Sequence, residues 1–113
     1  MRLEKGIPAH RAALFGGTGT VTVWSLLAAS AEPFTAVLSC ALEAGGSVGA
    51  HVQDEFPEIV VGLEGDGEAT VDGAPLALGP GDVVHLRLGS VLTLRNRSQE
   101  APLHYLIIKA RQR

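Results

Sequence analysis

Apolar and polar residues along this chain change over in short runs, and the runs are cut by glycine and proline. From Thr20 to Leu26 the pattern has period two, with Val21 and Val23 on one side and Thr22 and Trp24 on the other. Alternation of this kind predicts a half-buried strand. Phe34 to Glu43 reads as the next strand and stops at Ala44-Gly45-Gly46. Val48 to Gln53 predicts a short strand, and Glu58 to Leu63 another, stopped by Glu64-Gly65-Asp66-Gly67. Glu68 to Val71 and Leu76 to Leu78 flank Asp72-Gly73, a pair whose residues both tolerate positive φ and which therefore predicts a tight hairpin. Gly79-Pro80-Gly81-Asp82 is a turn, with Asp82 capping it. Val83 to Leu86, Val91 to Arg95 and Leu103 to Lys109 bring the expectation to about eight or nine strands. Ala28 to Ala31 favours a single helical turn before Pro33.

The 14 glycines and six prolines are spaced to suit an all-β sandwich or barrel rather than long helices. At 113 residues the chain suits one domain with one core. That core must be built from Val, Leu, Ile and Ala, because the aromatics are only Phe15, Trp24, Phe34, Phe56 and Tyr105. No linker or low-complexity segment divides the chain, and Met1 to Pro8 and Ala110 to Arg113 are expected to be loosely held.

Net charge is −3, with no basic stripe and few rings to stack on bases, so nucleic acid is not an expected partner. Cys40 is the only cysteine, which excludes an intrachain disulfide and a paired-cysteine zinc site. A lone core thiol fits a reducing compartment, and the first residues lack the apolar run of a secretion signal, so a cytoplasmic protein is expected. The most apolar stretch, Val21 to Ala31, is broken by Thr22, Ser25 and Ser30 and falls short of the roughly 20 residues that span a bilayer. Membrane partners are not expected.

Two stretches carry a more specific signal. Gly45 is followed after five residues by His51-Val52-Gln53, after four more by Glu58, and after six more by Gly65. Further on stand Pro80-Gly81-Asp82-Val83-Val84-His85-Leu86, Gly89 and Asn96. This pair of motifs, with the Asp72-Gly73 hairpin between them, resembles the cupin family from about Phe34 to Ile108. The resemblance implies an all-β fold, a double-stranded β-helix (cupin or jelly-roll) barrel. It implies one domain over residues 1–113, with a barrel core at about 34–109 and an N-terminal segment 1–30 that carries the strand 20–26. In the family, His-x-His, Glu and a further His converge on one divalent metal, such as iron, manganese, nickel or zinc. Here Gln53 stands at the second His position and Leu92 at the last.

Strand parity gives the first motif its physical meaning. Residues 51 and 53 leave the same face of one strand, and Glu58 opens the next. The donors are then one imidazole, one carboxamide oxygen and one carboxylate, a weak set for zinc, nickel or copper. His51, Gln53 and Glu58 are expected to line a pocket and to bind metal weakly at most. Leu92 and Leu94 are expected to line its apolar part. His104 shares a face with Leu106 and Ile108, which would let it supply an imidazole from the last strand or leave it a partly exposed strand histidine. His85 is expected to turn away from the core, and His10 carries no signal. Cys40 reads as a small core residue. Gly16-Gly17-Thr18-Gly19 lacks the Lys-Ser/Thr and helix of a phosphate loop. Arg87, Arg95 and Arg97 read as a solvated face, with Arg87 or Arg95 a minor candidate for an acidic ligand.

The first functional expectation is a barrel that binds a small, partly polar molecule. The second is a divalent-metal enzyme of the dioxygenase, isomerase or cyclase type, or a metal-free variant in which His51 and Glu58 work as acid and base. The third is a structural or regulatory partner. A homodimer is expected, with the face of Val21 and Val23 as a candidate interface.

Overall fold

Odd-numbered residues of the last strand face inward, and the two sheets are built around that choice. In the computed structural model, which describes residues 2–112, ten strands form. They are β1 (Ala9–Ala12), β2 (Thr20–Ser25), β3 (Phe34–Leu42), β4 (Ser47–Val52), β5 (Glu58–Glu64), β6 (Gly67–Val71), β7 (Ala74–Leu78), β8 (Val83–Leu86), β9 (Val91–Asn96) and β10 (Leu103–Ala110). Nine match expected strands to within a few residues. β1 and the 3-10 turn Leu14–Gly16 that follows it were not expected, because four exposed residues carry no alternation. Ala28 to Ala31 forms no helix; Ala31 instead bridges to Phe34. Met1 and Arg113, expected to be loosely held, lie outside the described residues.

One sheet runs β1-β2-β3-β10-β5-β8 and the other β4-β9-β6-β7, with every pairing antiparallel. The hairpin at Asp72-Gly73 is a two-residue turn with both φ values positive (49° and 84°), as the residue pair requires. The two inner faces pack on each other, the usual arrangement of a sandwich closing into a barrel. Leu42, Leu78 and Leu103 are fully buried, and with Asn96 they plug one end. Towards the other end of β3 and β10 the space between the sheets stays open as a cavity of about 930 Å³.

Two expectations are corrected by this packing. Val21 is buried in the core and Val23 packs against that core, so their face is the inside of the barrel and not an interface. In β10 both parities are apolar, so sequence alone could not choose between them. The register with β3 and β5 places Tyr105, Ile107 and Lys109 on the cavity and His104 on the opposite face. His104 is buried there, beside Glu64 and Arg2, and does not line the cavity. His85 is exposed, as parity predicted.

Candidate functional site

Three short polar groupings interrupt an otherwise aliphatic cavity. The first is on β4 and the residue after it. The Gln53 carboxamide nitrogen lies 2.9 Å from His51 Nε2. With the carboxamide nitrogen assigned as the donor, Nε2 accepts and the ring proton sits on Nδ1. Burial pushes His51 below the ordinary histidine value, while the Gly49 carbonyl opposes that and Lys109 adds to it. Leu92 lies directly opposite His51 in the β4–β9 register and is buried, so an isobutyl group fills the position where the family places a ligand.

The second grouping spans β5 and β10. Glu58 and Lys109 are cross-strand partners, and their side chains meet at 3.8 Å. The Glu58 carboxylate is only 2% exposed, and burial raises its pKa against the pull of Lys109. The third is Cys40 with Tyr105, partners across β3 and β10. Burial lifts the Cys40 thiol to about 12, and the hydrogen bond from Tyr105 offsets this only in part. Burial likewise raises Tyr105, a residue only 2% exposed.

Four of the five site residues expected from sequence, His51, Gln53, Glu58 and Leu92, are brought to one cavity; His104 is not. Leu94 also lines it. Sequence reasoning missed Phe15, Arg11, Tyr105 and Lys109 as lining residues. The last two were detectable only by choosing the odd parity of β10. Arg87 and Arg95 are exposed and do not line the cavity; the cations that do are Arg11 and Lys109.

The donor set does not fit a divalent ion. His51 Nε2 is occupied by a hydrogen-bond donor, Glu58 faces Lys109, and Leu92 offers no lone pair. Among the described residues no group of three or more His, Cys, Asp or Glu side chains is gathered to hold a metal ion. Iron, manganese, nickel or zinc at His51, Gln53 and Glu58 would meet one imidazole and one carboxylate that already have partners, and one neutral carboxamide.

Residues 38–109 match a family model described as a cupin domain. Among solved structures, the chain resembles a predicted oxalate decarboxylase from Thermotoga maritima, with a TM-score of 0.83 and 24% identity over 93% of this chain and 92% of that one. It also resembles the cupin domain of Schizosaccharomyces pombe Cnp3, at 0.74 and 16% over 92% of this chain and 69% of that one. KdgF from Halomonas sp. matches at 0.69 and 13% over 81% and 80%. No curated protein matches the sequence. At these identities the structural likenesses speak for the fold alone.

Proposed function

The chain belongs to the cupin family, and on that footing we propose that its barrel binds a small organic molecule, with His51, Gln53 and Glu58 at the polar end and no more than weak affinity for metal. The observation that carries this reading is a cavity of about 930 Å³ whose candidate metal nitrogen is already engaged by Gln53. The volume lies within the range of small-molecule sites, and aliphatic walls with a few converging polar groups are the usual composition of such a site. Val23, Leu38, Leu92 and Ile107 supply the apolar wall. Lys109 and Arg11 give it positive charge, and Glu58 with Asp54 gives it negative charge, so a ligand carrying both a donor and an acceptor suits it.

A second reading, a metal-free acid–base enzyme, draws on Glu58. Its raised pKa brings a cavity-facing carboxyl closer to neutrality, where proton transfer is efficient. The Thermotoga protein is described as a predicted oxalate decarboxylase, which makes oxalate one compound to assay.

The test uses protein treated with chelator, with the dye 8-anilinonaphthalene-1-sulfonate (ANS) as cavity probe. Enhanced dye fluorescence is expected, and Ile107→Trp, which fills the cavity, is expected to weaken binding about tenfold or more, about 1.4 kcal/mol. Zinc, nickel, manganese and iron are expected to shift Tm little. Stoichiometric metal in the purified protein, lost in His51→Ala and Glu58→Ala, would overturn the reading in favour of a metal enzyme.

A further inference from the structure

We propose that Phe15, on the N-terminal turn outside the segment matched by the family model, is a positioning residue of the cavity. It holds the His51 imidazole flat, so that Nε2 meets Gln53 and the ring stays in one tautomer. The Phe15 and His51 rings stack with centroids 4.1 Å apart and planes 15° from parallel. The assignment deepens the reading of the cavity as a binding site and rests on it.

Core packing does not account for this placement, because the Phe15 residue is 55% exposed. Its backbone is also unfavourable: Phe15 has φ of 52° and Ala13, two residues earlier, φ of 49°. A non-glycine residue in the left-handed region, and a bulky one above all, persists only where its surroundings hold it.

Those surroundings are specific. Ala13 N–H donates to the Gly19 carbonyl at 2.9 Å, and Gly17 N–H to the Leu14 carbonyl at 3.0 Å. Thr18 and Ser47 exchange backbone hydrogen bonds at 3.1 and 2.8 Å, which staples the turn to the start of β4. A Cβ on Gly49 would overlap the Phe15 carbonyl oxygen, and one on Gly17 would overlap the Ser47 carbonyl oxygen. Two glycines thus allow the turn to seat directly on the strand that carries His51.

The stack supplies what the Gln53 bond lacks. Gln53 at Nε2 and the Gly49 carbonyl act on the edge of the ring and leave its tilt free; a flat aromatic contact restrains that tilt. With Nε2 held by Gln53, the Gln53 oxygen is the acceptor this corner offers, which suits a ligand bearing a hydroxyl or N–H group.

The experiment is imidazole 15N NMR on the full chain at about pH 8, above the lowered His51 pKa, so that ring charge is not a variable. The wild type is expected to show one neutral tautomer, with Nδ1 protonated and Nε2 free of a proton. In Phe15→Ala the two nitrogen shifts are expected to move towards each other as the tautomers mix. Phe15→Tyr should restore the single tautomer. Phe15→Leu, which keeps bulk but not a flat face, should not. Gly49→Ala, which displaces the turn without altering the Phe15 side chain, should reproduce the Phe15→Ala result. Persistence of a single tautomer in Phe15→Ala and Phe15→Leu would overturn the proposal, as would an Nε2-protonated ring in the wild type. Dye binding is measured separately, so its failure in the wild type would strike the cavity reading while leaving the tautomer result unchanged.

Discussion

At the scale of single residues, burial decides the chemistry of the cavity groups. Cys40 faces the cavity, yet its thiol is pushed up to about 12, so almost no thiolate exists near neutral pH. Ellman's reagent is expected to leave Cys40 unmodified in the native protein and to label it stoichiometrically in denaturant. Glu58 and His104 pull stability in opposite directions with pH. Burial, less the effect of Lys109, raises Glu58 above 4.5. A raised carboxyl favours folding at low pH and loses that contribution as pH rises through its folded value. The Tm of Glu58→Gln should therefore gain on the wild type as pH rises from about 4 to 8, as differential scanning fluorimetry would record. His104 is lowered from 6.5, first by burial and then by Arg2. Its contribution is present above 6.5 and is lost as pH falls through its folded value. His104→Gln should flatten the loss of stability on the acid side, as pH falls below 6.5.

At the scale of elements, connections between strands depend on a few polar residues. Asn96, 1% exposed at the end of β9, donates from Nδ2 towards the carbonyls of Leu42, Glu43 and Ala101 at 3.2, 3.1 and 2.9 Å. Its Oδ1 accepts the Ser98 N–H at 3.0 Å. One carboxamide thus ties β9 to the end of β3 and to the loop before β10. Asn96→Ala leaves buried carbonyls without a donor and should cost about 3 kcal/mol by urea denaturation. Asn96→Asp should be at least as damaging, because it turns a carboxylate towards those same carbonyls. The Asp72 carboxylate works similarly on a smaller scale, accepting Val91 N–H at 2.8 Å and tying the β6–β7 hairpin to the start of β9.

At the scale of the whole molecule, packing is uneven along the barrel, and that unevenness makes the cavity. Leucines and Asn96 close one end, while the other retains about 930 Å³. The N-terminal segment forms part of the wall, since Ile7, Ala9, Arg11, Leu14 and Phe15 all line the cavity. Deleting residues 1–19 is expected to leave a folded barrel, because the family-matched segment 38–109 is untouched, but to weaken ANS binding severalfold. Retention of full dye affinity in that truncation would show that the wall is dispensable.

The strands, the Asp72-Gly73 turn and the shared face of His51 and Gln53 were legible in the chain, because period-two alternation and turn residues are local properties, while Glu58 was pointed to by motif spacing. Leu92 opposite His51 was legible from motif spacing. The inward parity of β10 was not, since Leu106 and Ile108 are as apolar as Tyr105 and Ile107 and only pairing with β3 and β5 selects a face. Nor was the Phe15–His51 stack, which joins residues far apart in sequence through clearance that two glycines provide only once the turn meets β4. The sequence by itself determined which segments extend and where they turn, because those choices cost or gain free energy within a few residues. Tertiary structure alone decided which faces look inward and which groups share the cavity, because register and burial are settled between distant segments.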